Sequence, residues 1–267
     1  MSSPLVDVDE LVALLADDAC TLLDVRYRMG GPPGAEEFAR GHVPGAAYVD
    51  LDSALASAPG PRGRHPLPDP EVFQEAMRAA GVSEHRPVVV YDDWAGRAAA
   101  RCWWLLRWAG HDDARVLDGG WAAWLTAGGP REVGPTRPAP GDLVVRAGSV
   151  PVLRPQDVPA AGTLVDARAP GRYRGEVEPV DPVAGHIPGA VNVPTEANLA
   201  ADGLFRTPDE LREVYAGLSG DVAVYCGSGV TACHDLLALE RIGVHASLYP
   251  GSWSEWVADP QRPVETS

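Results

Sequence analysis

The segment VAVYCGSGVTACH, residues 222–234, puts Cys226 on a glycine-rich turn, straight after a β-branched apolar run and straight before a helical pattern. A thiol in such a place can be a metal ligand, a small core residue or a nucleophile. Metal binding needs partners. Cys20, Cys102, Cys226 and Cys233 form no CxxC pair and share no His/Cys spacing suited to zinc, so no metal is expected. The other three cysteines read as buried hydrophobes. The turn around Cys226 reads differently, because Gly227 and Gly229 allow the strained or positive φ values by which successive amide N–H groups converge on one point. With a helix N-terminus behind them, those amides favour a thiolate, a nucleophilic form of sulfur. Ser228, Val230 and Thr231 complete the loop that would face a substrate. A phosphate-transferring cysteine would need an arginine six positions further on, where Ala232 stands. Two readings stay open at this stage: an enzyme with a cysteine nucleophile, and a carrier whose sulfur is loaded by another protein.

The elements that must hold this turn recur along the chain. LLDVR at 22–26 returns as LVDAR at 164–168, and GHVPGAAYVDL at 41–51 as GHIPGAVNVPT at 185–195. PVVVYDDWAGRAA at 87–99 is matched by DVAVYCGSGVTAC at 221–233, and VLDGGWAAW at 116–124 by LYPGSWSEW at 248–256. Order is preserved throughout, so the chain contains two homologous halves, with a proline- and glycine-rich stretch at 127–142 between them. We divide it into an N-terminal module 1–130, a linker 131–146 and a C-terminal module 147–267. In each half, short apolar strands alternate with longer helical patterns such as PEVFQEAMRAAGV, RAAARCWWLLRWAG and TACHDLLALERIG. This spacing predicts an α/β fold, a mostly parallel sheet flanked by helices in each module. Ligands of such sheets sit at the carboxyl ends of the strands, where Cys226 falls. Its counterpart in the first half is Asp92, a carboxylate that cannot act as a soft nucleophile.

A net charge of −15 over 267 residues argues against nucleic acid as a partner. The chain has no lysine, its 22 basic residues all being arginine, which excludes Schiff-base chemistry, pyridoxal phosphate anchoring and the phosphate-loop lysine. No cofactor is expected. The N-terminal stretch has acids inside its apolar pattern and reads as an amphipathic helix, no apolar run is long enough to span a bilayer, and a cytoplasmic location is the expectation.

Taken together, DVR, GHVPGA, VVVYDD and LDGGW in the first half, with DAR, GHIPGA, YCGSGVTA and YPGSWSEW in the second, resemble the tandem-domain rhodanese family of sulfurtransferases over nearly the whole chain. The resemblance implies two rhodanese modules, the first inactive and marked by Asp92, the second carrying Cys226 as nucleophile. It implies transfer of a sulfane sulfur from a small anionic donor, 3-mercaptopyruvate ahead of thiosulfate on the CGSGVTA loop, through a Cys226 persulfide. Acceptors would be cyanide or a thiol, including that of a thioredoxin-like protein. The hydroxyl–imidazole pair of the mercaptopyruvate branch would fall on Ser228 and His42, and Arg172 would grip the donor's anionic group. A second arginine, expected after Arg172, is absent from GEVEPVDPVA. Arg64 and His65 lie in a long first-half loop that the family places near the active site and that reads equally as a solvated loop. His42 and His186 both precede a proline-glycine turn, so the repeat also supports a structural role for both. Trp253 reads as core or as the pocket wall behind the loop.

Overall fold

The computed structural model describes residues 3–267; Met1 and Ser2, the first two positions of the N-terminal module, lie outside the described residues. The chain forms two compact units. The first holds the residues up to Ala56 together with Pro68–Val150, and the second holds Ser57–Leu67 together with Pro151–Ser267. The stretch expected as a linker, 131–146, packs on the first unit: Arg78 Nε donates to the Leu143 carbonyl at 2.7 Å, the Gly141 N–H donates to the Arg78 carbonyl at 2.8 Å, and Leu143 is buried. More consequential for function, residues 57–67 belong to the second unit although they lie within the first half of the sequence.

The first unit runs β1 (Leu5–Val6), α1 (Val8–Ala16), β2 (Thr21–Asp24), α2 (Gly34–Arg40), β3 (Ala47–Tyr48), α3 (Leu51–Ala54), α4 (Pro70–Ala79), β4 (Val88–Tyr91), α5 (Arg97–Trp108), β5 (Ala114–Leu117) and α6 (Gly120–Thr126). Its five strands are all parallel, in the order β1-β5-β4-β2-β3. TLLD in β2 and VVVY in β4 are buried at every position, as central strands of a parallel sheet covered on both faces must be. The two-residue edge strand β1 escapes a pattern reading because it is too short to show a period.

The second unit repeats the plan with β6 (Thr163–Asp166), α7 (Pro170–Tyr173), β7 (Val191–Asn192), α8 (Pro208–Val214), β8 (Val222–Tyr225), α9 (Ala232–Arg241), β9 (Ser247–Leu248) and α10 (Ser252–Trp256). Its sheet is parallel in the order β7-β6-β8-β9, which puts β8, the strand leading to Cys226, in the interior.

Each unit has its own core, and the repeat extends to single hydrogen bonds. Tyr91 and Tyr225 end corresponding central strands, and their hydroxyls accept the Val43 and Ile187 N–H groups at 3.0 and 3.1 Å. Asp24 pairs with Arg26, which lies over Trp121, and Asp166 pairs with Arg168, which lies over Trp253. The indole N–H groups of Trp124 and Trp256 are held by the Pro130 and Pro263 carbonyls, each at 2.8 Å. Asp24 and Asp166 are thus scaffold groups. Among the described residues no helix is long and apolar enough to cross a membrane.

Candidate active site

Cys226 follows β8 directly, and its backbone is clamped from one side by the start of α10. The Ser252 hydroxyl accepts the Cys226 N–H at 3.1 Å and donates to the Tyr249 carbonyl at 2.9 Å, while the Trp253 and Ser254 N–H groups donate to the Cys226 and Gly227 carbonyls at 3.0 Å. Ser252 achieves this with φ of +53°, where the first unit has Gly120 at the same angle. A serine in the left-handed region carries strain of about 1 kcal/mol or more that glycine avoids, and the hydroxyl on the nucleophile's amide is what the strain accompanies.

Beyond Cys226 the chain turns through Gly229, whose φ is +79°. A β-carbon there would lie 2.3 Å from the Pro250 carbonyl oxygen, so only glycine fits. The turn aims the Gly229 N–H at the Cys226 sulfur, 3.2 Å away, and α9 begins at Ala232 behind it. The first unit shows what the same turn does with a carboxyl side chain. Asp92 receives four main-chain N–H groups, Trp94 and Gly96 on one oxygen and Ala98 and Ala99 on the other, each at 2.8 Å. Burial pushes this carboxyl above its usual range, and the amides oppose that push. In the second unit the Cys226 sulfur takes the corresponding place on the turn, with the one Gly229 N–H on it.

Around the second cradle stand groups from three segments. Arg172, on α7, donates through Nε to Glu178 at 3.0 Å and through Nη2 to Glu178 at 2.7 Å and to Asp181 at 3.0 Å. Asp181 also pairs with Arg64 Nη1. Burial works against the Glu178 charge, but the Asp181 and Val180 N–H groups and Arg172 outweigh it and hold its pKa below the usual carboxylate range. For Asp181 burial dominates, only partly offset by Arg64, and its pKa is raised. Ser228, almost buried, has its hydroxyl 2.7 Å from His65 Nδ1.

That last contact corrects the expected pairing of Ser228 with His42. His42 is wholly buried in the first unit, its Nδ1 on the Phe38 carbonyl at 2.9 Å and its ring stacked on Phe38 at 3.7 Å. His186 does the same on Tyr173, at 2.8 and 3.9 Å. Both histidine rings are held by main-chain carbonyls and stacked on an aromatic neighbour, and the imidazole beside Ser228 is that of His65. Trp253 is likewise core and no pocket wall: it is fully buried, its indole N–H donates to the Val183 carbonyl at 2.9 Å, and Arg168 covers its ring at 4.5 Å. It acts on the loop only through its backbone N–H. Val230 is buried and its carbonyl accepts the Cys233 N–H at 3.1 Å, while half-buried Thr231 directly precedes α9 without a side-chain capping bond. Ser252, Glu178 and Asp181 escaped the sequence reading. A signal for Ser252 exists in the repeat, which sets a serine opposite a glycine. The loop with Arg64 and His65 is marked by its length, LDSALASAPGPRGRHPLPDP against TEANLAADGLFRTP in the second half.

The rhodanese-like domain family matches residues 7–127 and again 153–259, and the chain belongs to that family. It is a tandem-domain sulfurtransferase, and as such needs a sulfur donor and a sulfur acceptor. It is 46% identical to SseB of Mycobacterium tuberculosis, provisionally named a thiosulfate sulfurtransferase, with 97% of this chain and 96% of that one covered. It is 43% identical to a Pseudomonas aeruginosa protein provisionally named a 3-mercaptopyruvate sulfurtransferase, over 99% of each chain. The crystal structure of SseA from Escherichia coli, described as a 3-mercaptopyruvate sulfurtransferase, superposes with a TM-score of 0.84 at 34% identity, covering 95% of this chain and all of that one.

Proposed function

We propose that the protein moves a sulfane sulfur through a persulfide on Cys226, from 3-mercaptopyruvate in preference to thiosulfate. The observation that carries the reading is the Cys226 sulfur at the mouth of a turn whose twin in the first unit binds a carboxylate with four amides. In the first half-reaction the Cys226 thiolate attacks the donor's outer sulfur. With mercaptopyruvate the carbon–sulfur bond breaks, its electron pair leaves on the enolate of pyruvate, and a proton is taken up at carbon. With thiosulfate the sulfur–sulfur bond breaks and the pair leaves on sulfite. In the second half-reaction cyanide, a small thiol or the thiol of a thioredoxin-like protein takes the outer sulfur and the Cys226 thiolate is restored.

The turn's amides and the start of α9 receive negative charge in both states of the cysteine. Arg172 grips the donor's carboxylate or sulfonate. Ser228 and His65 favour mercaptopyruvate, because a hydroxyl backed by an imidazole can deliver the proton that the enolate needs and that sulfite does not. This relay requires the His65 tautomer that carries its proton on Nδ1 and donates it to Ser228 Oγ, leaving the Ser228 hydroxyl proton for the leaving group. The four buried free cysteines suit a reducing compartment, and we place the protein in the cytoplasm.

The test is turnover of mercaptopyruvate or thiosulfate with cyanide, read as thiocyanate, alongside mass spectrometry for one added sulfur on Cys226. Cys226→Ser should lose both signals and keep its thermal transition. Transfer retained in that variant would remove the assignment. Sulfur acquired only from another persulfidated protein, with neither donor used, would favour the carrier reading.

A further inference from the structure

We infer that Ser254 is a positioning residue for proton delivery, and that by anchoring the hairpin 57–67 beside the catalytic turn it helps to set the preference between the two donors. The inference deepens the proposed reading and rests on it, since there His65 and Ser228 serve mercaptopyruvate and not thiosulfate. It starts from how His65 is carried. The Ser57 N–H donates to the Pro66 carbonyl at 3.1 Å, the Ser57 hydroxyl donates to the Leu67 carbonyl at 2.8 Å, and Gly60 and Gly63 exchange two main-chain bonds of 3.0 Å. These bonds are internal to the hairpin, so they keep its shape but do not fix its place. At Arg64, directly before His65, the main-chain N–H leaves the hairpin and donates to Ser254 Oγ at 3.1 Å. The Ser254 hydroxyl in turn donates to the Gly251 carbonyl at 3.1 Å, and the Ser254 N–H donates to the Gly227 carbonyl at 3.0 Å. Ser254 thus bonds the residue before His65 and the residue before Ser228, one on each side of the 2.7 Å contact between imidazole and hydroxyl.

The approach of the hairpin gives a second line of argument. Gly63 is buried at φ +100°, and a β-carbon there would lie 2.8 Å from the Gly251 carbonyl oxygen and 2.9 Å from Ser254 Oγ. Glycine at this position is what lets the hairpin's main chain come down onto the serine. The repeat gives a third. VLDGGWAAW and LYPGSWSEW set Ala122 opposite Ser254. Both units keep the neighbouring bond, Trp121 N–H on the Asp92 carbonyl at 2.8 Å and Trp253 N–H on the Cys226 carbonyl at 3.0 Å, so the turn and the helix after it are built alike without a hydroxyl. The hydroxyl stands in the unit whose turn has His65 beside it. It bonds main chain on both sides, so it acts on His65 and Ser228 through the residue before each.

The experiment uses the full-length protein and two readouts. Steady-state kinetics with mercaptopyruvate and with thiosulfate, cyanide being the acceptor, are measured for wild type, Ser254→Ala, Gly63→Ala, His65→Asn and the double variant Ser254→Ala/His65→Asn. Amide hydrogen exchange at Arg64 is followed by NMR in wild type and Ser254→Ala. Loss of one hydrogen bond to the main chain predicts that exchange at Arg64 quickens about three- to tenfold, and that kcat with mercaptopyruvate falls by a similar factor while kcat with thiosulfate stays within about twofold. Gly63→Ala pushes the hairpin off from the other side of the contact and should give the same donor-selective fall, an independent arm should Ser254→Ala not fold. In the His65→Asn background Ser254→Ala should cost less than about twofold more, because no imidazole is left to place. The proposal is overturned if Ser254→Ala leaves kcat with mercaptopyruvate unchanged, if it lowers turnover of both donors alike, or if its cost is undiminished in His65→Asn. Failure of the parent reading looks different: His65→Asn alone leaves mercaptopyruvate turnover intact, which removes the proton relay before Ser254 is altered.

Discussion

Ser228→Ala and His65→Asn should separate the two donors. The Ser228 hydroxyl and His65 Nδ1 are 2.7 Å apart, within reach for direct proton exchange. Mercaptopyruvate expels an enolate, a strong base in need of a proton, whereas thiosulfate expels sulfite, stable as it leaves. A positioned general acid is worth about 10²–10⁴ in rate, and because water can substitute in part we expect the lower end, a fall of about 10²–10³ in kcat for mercaptopyruvate, or roughly 3–4 kcal/mol. For thiosulfate the same substitutions remove only a loop contact, worth about 0.5–1 kcal/mol, so its kcat/KM should fall by no more than about fivefold. His65→Asn keeps a donor N–H near the place of Nδ1 without the ability to shuttle a proton, so it should resemble Ser228→Ala. The double variant should be scarcely worse than either single one, as groups that act as a unit are not additive. Pyruvate release, coupled to lactate dehydrogenase and NADH, follows one donor, and thiocyanate formation follows the other. Equal losses with both donors would show that the pair merely shapes the loop, and no loss with mercaptopyruvate would remove the proton relay outright.

Two further substitutions test the scaffold of the cradle. Ser252→Gly relieves the strain at φ +53° and removes the hydroxyl from the Cys226 N–H, two effects of about 1 kcal/mol each and opposite sign, so urea unfolding should shift by less than about 1 kcal/mol while kcat/KM drops roughly tenfold. A large loss of stability with unchanged kinetics would reverse that assignment. Asp92→Ala leaves four buried amides without their acceptor and should destabilise the protein by about 3–5 kcal/mol by thermal denaturation, whereas a change below about 1 kcal/mol would show that the carboxylate does not hold the first turn.

The alternation of strand and helix, the repeat and the place of Cys226 were legible because each is written in a local pattern: an apolar run, a glycine turn, a helical period. What the pattern could not give is which distant loops meet. Ser228 and His65 are 163 positions apart, and Arg64 and Asp181 are 117 apart, so neither contact leaves a periodic trace. The assignment of the imidazole to His42 failed for a related reason. A histidine beside a proline-glycine turn reads alike whether its ring faces a site or a carbonyl, and only the packing against Phe38 decides. The twin geometry of His186 on Tyr173 shows that the motif serves the turn itself. Trp253 posed the same ambiguity between core and wall, resolved by Val183 and Arg168.

Under the proposed reading, the paired turns also give a reason for a persulfide, more than a bare thiolate, to fit the second cradle. The amides of Trp94, Gly96 and Ala98, which hold Asp92, correspond in the repeat to those of Ser228, Val230 and Ala232. These three make no hydrogen bond within the described residues, and the Cys226 sulfur takes a single amide, that of Gly229 at 3.2 Å. A carboxylate extends one atom beyond its carbon in two directions and so reaches amides that a lone sulfur atom does not. Adding a second sulfur, about 2.05 Å beyond the first, carries negative charge further into the same cradle. The turn would then bind the loaded state more tightly than the empty one, which lowers the barrier to taking sulfur from a donor and leaves its release to the strength of the attacking acceptor. In the first unit the Asp92 side chain itself takes the four amides, so the cradle is already satisfied. On this argument the two turns differ in what they hold: a side-chain carboxylate in the first unit and, under the proposed reading, a sulfur that can be loaded and unloaded in the second.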